Sequence, residues 1–451
     1  MRSQNIPLSA LPNIGHQTER WLNAIGIHTL SQLEAIGPIE AYRRLKELGY
    51  NVSLNLVYAI QGAILNAPWH ELPLTLRDKL QAEVAALAQQ SAAESPLFIV
   101  DGHLDIAYNA LKFGRDFRRT LAELRQQEAD APSPNGIATI ALPDLMQAGV
   151  GLALASIFVM PINSPMKFVY HEPTTYKNAH DAHRKGMAQL DYYHRLADES
   201  DAVRLVTDLA SLNAVVESHQ PGKTPLFGII PAMEGADPIR EPEELEQWIE
   251  RGVRSIGLAW DDTRYAAGAW RDQGSLTADG YRLMEIMADH HVLLDITHMS
   301  EKASLEALEH YPGAVVASHC NSRALVPSPR QLSDEQIRLI GERDGLIGVV
   351  LFNPFLRANQ RKGDPKTQVT LDHVVAHIDH ICQVLGDATH AGIGSDLDGG
   401  FGAADIPTGL DSAADLPNLA AALRQKGYRE ADVAGIMGGN WLNLLQRSFA
   451  S

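Results

Sequence analysis

The sequence predicts an α/β protein in which a (β/α)8 barrel of the TIM type follows a small all-α domain. Beyond about residue 97, eight short apolar runs alternate with longer stretches of helical periodicity, which is the pattern of such a barrel. The first 80 residues show helices separated by glycine-containing turns. We therefore expect a helical domain over 1–80, a linker over 81–96 and the barrel over 97–451.

Composition restricts the class of protein before any motif is considered. The 451 residues are 45% hydrophobic and 21% charged, as in a globular protein with a large core. The formal net charge of −17 argues against nucleic acid or an anionic membrane as partner of the whole chain. No run of about 18 apolar residues is present, so no membrane span is expected. Two cysteines, Cys320 and Cys382, are too few for a disulfide framework and favour the cytoplasm.

The first domain is predicted to consist of short helices. The turn at 11–15 opens a helix over roughly 16–25, and Ser31 caps the next helix. Further helices are expected over 39–48 and 54–65. This succession of helices and glycine turns predicts a helix-hairpin-helix-like domain.

Several motifs of this region resemble the C-terminal domain of the TfoX/Sxy competence-regulator family. They are Leu-Pro-Asn-Ile-Gly at 11–15, Ala-Ile-Gly-Ile at 24–27, Ala-Tyr-Arg-Arg-Leu-Lys at 41–46, and the stretches 50–56 and 69–76. Helix-hairpin-helix domains often contact nucleic-acid phosphate. Residues 1–80 hold seven Lys and Arg against six Asp and Glu, so nucleic acid is not the favoured partner. Docking or dimerisation suits the domain at least as well, and a homodimer would fit that role.

Eight runs are predicted as barrel strands because each is short, apolar and often β-branched. They lie at 97–101, 152–159, 226–232, 253–258, 292–296, 314–318, 345–350 and 391–394. In this fold the chemistry lies at the carboxyl ends of the strands, so the residues that follow each run are the candidate site.

Histidine and acidic residues follow five of these runs. His103 and Asp105 are two residues apart, so both side chains point to one side of an extended segment. The other candidates are Glu234 after the third run, His298 after the fifth, His319 after the sixth and Asp396 after the eighth. Three histidines and three acids at equivalent positions indicate a metal site.

The kinds of ligand restrict the metal. Imidazole with carboxylate favours Zn, Mn, Fe or Co, and the absence of thiolate argues against a structural zinc site. If five of the six candidates are ligands, they exceed what one catalytic zinc uses. Two metals roughly 3.5–4 Å apart that share a carboxylate would use all five.

The same motifs are similar to those of the membrane (renal-type) dipeptidases, peptidase family M19, which are barrels of the metal-dependent hydrolase type in the amidohydrolase superfamily. The similar segments are 101–105, 233–235, 295–300, 318–319, 394–399 and 438–441. The resemblance implies two Zn²⁺ ions bridged by the catalytic Glu234 and a water or hydroxide. It places His103 and Asp105 on the first ion, and His298 and His319 on the second.

The resemblance also implies roles for two residues beyond the ligands. Asp396 takes the proton of the attacking water and passes it to the leaving amine. Arg330 binds the substrate carboxylate, for which a planar guanidinium suits a bidentate contact. Arg323 is a weaker candidate for the same role.

The fourth and seventh runs depart from the pattern of the well-known dipeptidases. Trp260 stands where those enzymes carry a histidine that stabilises the oxyanion. An indole N–H donates one hydrogen bond but carries no charge, so Trp260 either partly replaces that histidine as a donor to the oxyanion or forms a packing wall of the pocket. Phe352 stands where relatives carry a substrate-contacting tyrosine, and both residues are expected to bind substrate.

The leading hypothesis is therefore zinc-dependent hydrolysis of dipeptides. An alternative is an amidohydrolase that acts on N-acyl amino acids or another small amide, with Arg330 still binding the carboxylate. A second alternative, from another class, is a regulatory or nucleic-acid-binding protein that works through its N-terminal domain.

Overall fold

One helical unit and one unit with a parallel barrel make up the chain. The structure, a computed structural model, describes residues 6–48, 50, 52–94, 97–130, 132–164, 175–270 and 274–450. The two units are Met1–Pro96 and Leu97–Ser451. The predicted fold class, a TIM-type barrel with a helical N-terminal region, is confirmed.

Within its described residues, the N-terminal unit contains four α-helices: α1 His16–Ala24, α2 Leu30–Glu47, α3 Leu54–Leu65 and α4 Leu74–Glu94. The predicted cap of α2 at Ser31 is wrong. Thr29 is the N-cap, because its backbone is extended and its side chain accepts a hydrogen bond from the Gln32 N–H. Gly37, at φ 75°, divides α2 into the two segments that the sequence predicts separately. Helix α4 includes 81–94, most of the segment expected to be a linker.

The strands of the second unit are, in chain order, β1 Ile99–Leu104, β2 Val150–Phe158, β3 Met160–Pro161, β4 Thr175–Tyr176, β5 Val203–Leu205, β6 Phe227–Glu234, β7 Ser255–Gly257, β8 Leu293–Asp295, β9 Val315–Ala317, β10 Leu346–Val349 and β11 Ala391–Ile393. Eight of them form a closed parallel barrel in the order β2-β1-β11-β10-β9-β8-β7-β6, which β2 closes on β6. Each of the eight overlaps one predicted run.

Three of the strands in the described ranges lie outside the closed barrel. Strand β5 pairs with the start of β6, and β3 pairs with β4 in a separate two-stranded sheet. These strands are two or three residues long, too short to give an apolar run, so the sequence did not reveal them.

Helices of the second unit connect or follow the strands. They are α5 Ile106–Phe113, α6 Leu121–Asp130, α7 Leu142–Gln147, α8 Ala179–Glu199, α9 Leu209–Ser218, α10 Leu245–Glu250, α11 Ala278–Asp289, α12 Glu301–His310, α13 Asp334–Glu342, α14 Asn353–Leu356, α15 Leu371–Leu385, α16 Pro417–Lys426, α17 Glu430–Ala434 and α18 Asn440–Ala450. Within the described part of the chain, no helix has both the length and the apolar character needed to cross a bilayer.

Glycines bring three strands into close contact beneath the carboxyl end of the barrel. A Cβ at Gly394 would lie 1.8 Å from the carbonyl oxygen of Ser318, and one at Gly348 would lie 2.0 Å from the same oxygen. Only glycine fits at such a distance. The approach fixes the positions of His319 and Asp396, which follow Ser318 and Gly394 at the strand ends.

Candidate metal centre

The end of β1 carries the first two candidate ligands, His103 and Asp105. Both are buried, with 3% and 5% of their surface exposed. The Asp101 carboxylate holds the strand end, because it accepts hydrogen bonds from the backbone N–H of His103 and from the N–H and hydroxyl of Ser395. The Ser156 hydroxyl on β2 donates to Asp105 Oδ1 and orients that carboxylate.

The two oxygens of Glu234, at the end of β6, face different histidines. Oε2 lies 3.3 Å from His103 Nε2. Oε1 lies 3.0 Å from His298 Nε2 and 3.6 Å from His319 Nε2. A carboxylate in this position can serve two cations, one through each oxygen.

The loops after β8 and β9 bring His298 and His319 together, with their Nε2 atoms 3.0 Å apart. His298 has a left-handed backbone (φ 67°), which is uncommon outside glycine and occurs at functional sites. The Ser318 hydroxyl lies 2.9 Å from His319 Nδ1 and leaves Nε2 of that ring facing the centre. These contacts point both Nε2 atoms at Glu234.

Asp396 completes the cluster from the end of β11. Its Oδ1 lies 3.9 Å from His103 Nε2, and its backbone N–H donates to the His103 carbonyl oxygen over 3.1 Å. All six candidates, predicted from five different strand ends, thus meet at one point.

The residues present fit a divalent metal. Ligand atoms of His103, Glu234 and His319 lie within 4.8 Å of one another, as do those of His103, Asp105 and Asp396. His103 Nε2 is buried and makes no well-directed hydrogen bond to the described residues, although Glu234 Oε2 lies 3.3 Å away and buried polar atoms nearly always have a partner. A cation is the partner that three imidazoles and three carboxylates would take.

Burial and crowding shift the pKa values of these groups. Burial lowers the pKa of His298 to about 3 and that of His319 well below its usual value, so both rings are neutral and able to ligate. Burial opposes the charge of Glu234 too, but His103 and His298 hold its pKa below the usual range. Burial and the neighbouring carboxylates raise the pKa of Asp396 well above that of a free aspartate.

A second layer of buried polar groups, which was not predicted from the sequence, holds the strand ends. Asn109 on α5 donates from Nδ2 to the carbonyl oxygens of Asp105, at 2.6 Å, and Asp398, at 3.0 Å. Arg115 Nη1 lies 3.2 Å from Asn109 Oδ1 and 2.9 Å from Asp398 Oδ2. The sequence shows only that Asn109 and Arg115 follow shortly after the first motif, and this position does not reveal their partners.

A cavity of about 210 Å³ opens over the cluster. Asp105, Glu234, His298 and Asp396 lie on its wall. Aromatic side chains supply most of the remainder, namely Tyr108, Phe158, Trp260, Trp270, Phe352, Phe355 and Phe401.

Both aromatic residues predicted to contact substrate are in this wall. Trp260 packs on Phe158 with ring centroids 5.0 Å apart, and its ring lies 5.7 Å from that of His298. Phe352 stacks on Phe401, with centroids 4.5 Å apart and an interplanar angle of 23°. Trp260 is therefore a wall of the cavity, which is one of the two roles expected for it.

Arg330 also lines the cavity, and Arg323 does not. Arg330 Nη2 lies 3.2 Å from His298 Nε2 and 3.0 Å from the carbonyl oxygen of His319. Arg323 instead donates to the Gln331 carbonyl oxygen and pairs with Glu301. Of the two candidate arginines, Arg330 alone is placed to meet a ligand in the cavity.

Family models match both units of the chain. The model of the membrane dipeptidases (peptidase family M19) matches residues 87–449, and that of the TfoX C-terminal domain matches residues 4–84. An uncharacterised protein in the pqqA 5′ region of Klebsiella pneumoniae is 36% identical over 214 residues, 46% of this chain and 76% of that protein. Dipeptidase ataJ of Aspergillus terreus is 29% identical over 289 residues, 58% of this chain and 67% of that protein.

Solved structures are similar over the barrel. Dipeptidase AC, a metallopeptidase of family M19, is 27% identical with a TM-score of 0.63, over 79% of this chain and 100% of that one. A metallopeptidase from Rhodobacter sphaeroides, solved with a phosphinate mimic of the dipeptide L-Ala-D-Ala, is 26% identical with a TM-score of 0.63. That alignment covers 78% of this chain and 99% of the other.

Proposed function

The chain belongs to the membrane dipeptidase family, peptidase family M19, and we propose that it hydrolyses dipeptides with two zinc ions bound at the carboxyl end of its barrel. The observation that carries this proposal is the position of Glu234, whose two oxygens face His103 on one side and His298 and His319 on the other. His103, Asp105 and Glu234 would hold one ion, and Glu234, His298 and His319 the other.

Two zinc ions so held would supply a deprotonated water near neutral pH and polarise the scissile carbonyl group. The protein's own groups would then move the proton and hold the substrate. Asp396 lies beside His103 at the cavity wall, and burial raises its pKa, so it can hold a proton and give it to the leaving amine.

Arg330 would bind the free carboxylate of the dipeptide. Its guanidinium lies beside His298 and His319 and has donors to spare, because an arginine carries five N–H groups. The aromatic wall around Trp260 and Phe352 would exclude water and contact the substrate side chains. The cytoplasm remains our proposed location, since Cys320 and Cys382 are both free thiols.

To test this, the zinc-loaded protein is assayed for hydrolysis of L-L dipeptides, L-D dipeptides and N-acyl amino acids. The L-D dipeptides are included because the Rhodobacter relative was solved with a mimic of L-Ala-D-Ala. We expect dipeptides to be cleaved and two zinc ions to be present per chain. Cleavage of N-acyl amino acids alone would favour the amidohydrolase alternative. Protein that stays free of metal after purification with zinc would contradict the proposal.

A matched pair of variants tests the ligand assignment. His298→Ala should abolish hydrolysis and lower the zinc content toward one ion per chain. His380→Ala removes a histidine on α15 that pairs with Asp334 over 2.8 Å outside the cavity, and it should change neither quantity. Full activity of His298→Ala would show that the ligand set is wrong.

A further inference from the structure

One basic side chain of the cavity wall, that of Lys362, has no part in the proposed chemistry. Among the described residues that line the cavity, Arg330 and Lys362 are the two basic side chains of the lysine and arginine type. The acidic groups there, Asp105, Glu234 and Asp396, are assigned to the metals and the proton. Lys362 therefore needs a separate explanation.

Lys362 is held with its ammonium group at the cavity. Nζ donates to the carbonyl oxygen of Gly400, another residue of the wall, over 2.7 Å. The backbone on both sides is fixed, because the Arg361 N–H donates to Asp364 Oδ2 over 2.8 Å and the Gly363 N–H to Asp405 Oδ1 over 2.7 Å. The loop that carries Lys362 thus presents the ammonium group in a defined position.

The ammonium group of Lys362 forms no ion pair within the described part of the chain. No carboxylate oxygen of the described residues lies within 4.0 Å of Nζ, whereas Lys185 and Lys426 each pair with an aspartate. An ammonium has three donors, and Gly400 takes one of them. Partial burial lowers the pKa of Lys362, and the Asp405 carboxylate acts in the opposite direction. The residue as a whole is exposed, so its ammonium group is open to an anion that enters the cavity.

The positive charge of Lys362 is opposite in sign to the net charge of the chain. A chain of net charge −17 repels anions in general, so cations at the cavity are needed if the substrate is anionic. Arg330 accounts for one carboxylate of a dipeptide. Lys362 supplies a second anion site on the wall of the same cavity.

We propose that Lys362 binds a side-chain carboxylate, and that the preferred substrates are dipeptides that contain aspartate or glutamate. This inference rests on the proposed dipeptidase function and names the substrate class of that site. Arg330 binds the main-chain carboxylate of such a dipeptide, and Lys362 the side-chain carboxylate. Lys362 is a specificity residue and takes no part in bond cleavage.

The test compares substrates that differ only in the side-chain charge. The pairs are Ala-Glu with Ala-Gln and Glu-Ala with Gln-Ala, each with an L or a D second residue. For the wild-type protein, kcat/KM should favour the glutamate substrate by about tenfold or more in at least one pair, the effect of one hydrogen bond to a charged group. Lys362→Gln should bring that ratio close to one, chiefly through KM.

Two further variants separate charge from structure. Lys362→Arg keeps the cation and should keep most of the preference. Arg361→Gln removes the neighbouring cation, which lies outside the cavity, and should leave the ratio unchanged. If Lys362 only supported the Gly400 loop, Lys362→Gln would lower kcat/KM equally for both members of a pair.

Such an equal loss would overturn the inference, as would a wild-type ratio of one or less in every pair. Both results would leave the proposed dipeptidase function standing, because dipeptides would still be hydrolysed. Failure to hydrolyse any dipeptide would contradict the proposed function and this inference with it.

Discussion

Arg330 is a buried cation whose contacts at the cavity indicate what it binds. Only 3% of its surface is exposed, and its guanidinium contacts His298, the His319 carbonyl oxygen and Cys320 Sγ. No carboxylate of the described residues lies within ion-pair distance of the Arg330 guanidinium. This buried cation can therefore bind an anionic ligand. The carboxylate of the substrate is the group that the proposed function supplies.

Arg330→Met should therefore raise KM for dipeptides with a free carboxylate by about 10- to 100-fold, the worth of charged hydrogen bonds. Amidated dipeptides should suffer far less. Steady-state kinetics with the two substrate forms measures the difference. Arg323→Met is the matched control, because Arg323 lies outside the cavity, and it should affect both forms equally little. Equal losses for both forms in Arg330→Met would place the carboxylate site elsewhere.

The buried imidazole of His377 makes the stability of the fold depend on pH. It is fully buried on α15, where Nδ1 accepts from the Ser322 N–H over 3.1 Å and Nε2 lies 3.2 Å from the Leu356 carbonyl oxygen. Burial lowers its pKa from 6.5 to about 4. The unfolded chain therefore binds a proton between these pH values while the folded chain does not, so the free energy of unfolding falls as pH drops from about 6.5 to 4.

His377→Gln should remove this contribution of about 3 kcal/mol while retaining a donor toward Leu356. Urea unfolding of both proteins at pH 7 and pH 4.5 measures it. We expect the stability advantage of the wild type to shrink by most of that amount at the lower pH. Metal release affects both proteins and cancels in the difference. An advantage that is the same at both pH values would show that His377 does not titrate in this range.

The candidate ligands could be found in the sequence because the fold puts all strand ends at one place. His103, Glu234, His298 and His319 each follow an apolar run, and that position alone predicts their meeting. Lys362 and Ser156 could not be found in this way. Their roles depend on Gly400 and Asp105, residues far away in the chain that only the folded barrel brings near.

At the scale of elements, α5 connects two strand ends of the centre. Asn109 on α5 donates to the backbone of Asp105, after β1, and of Asp398, after β11. The same loop after β11 carries Asp396. We infer that Asn109 is a positioning residue that sets the separation of these two strand ends.

Asn109→Ala should weaken zinc binding by about 10- to 100-fold, as is typical of groups that orient metal ligands. Competition with a chelator of known affinity measures this. Asn440→Ala is the matched control, because Asn440 Nδ2 also donates to two carbonyl oxygens, those of Ala388 and Ala391, each over 2.7 Å. Those bonds lie at the opposite end of β11. Both variants should lose stability. Equal zinc affinities of Asn109→Ala and Asn440→Ala would contradict a positioning role for Asn109.

The elements themselves were predictable to different degrees. All eight barrel strands appear in the sequence as apolar runs because parallel strands are buried on both faces, as in the nine consecutive buried residues of β2. The cap of α2 was misplaced by two residues, since Thr29 and Ser31 are both good caps and only backbone conformation separates them. In helix α4, Leu76, Leu80 and Val84 form an apolar face, whereas the sequence beyond Val84 is rich in Ala, Gln and Ser and suits a linker as well as a helix.

At the scale of the whole molecule, the two units have separate cores. The clusters around Leu22 and Val57 contain only residues before 85, and those around Ile99 and Trp441 contain only residues after 96. The net charge is −17 for the chain and +1 for residues 1–80, which leaves −18 for the rest. The alternative of a nucleic-acid-binding role for the N-terminal unit rests on its helix-hairpin-helix-like pattern, and a charge of +1 does not favour it.

Separate cores predict that the barrel folds and works alone. A chain that starts at Leu97 should bind zinc and hydrolyse dipeptides with kcat/KM within about twofold of the full chain, because every candidate ligand and cavity residue lies beyond that point. Kinetics, zinc content and circular dichroism of the two proteins measure this. A folded, zinc-loaded barrel with activity lowered tenfold or more would show that the N-terminal unit takes part in catalysis. Binding of a DNA duplex by the full chain at moderate salt, lost on truncation, would instead support the regulatory alternative, and we expect no such binding.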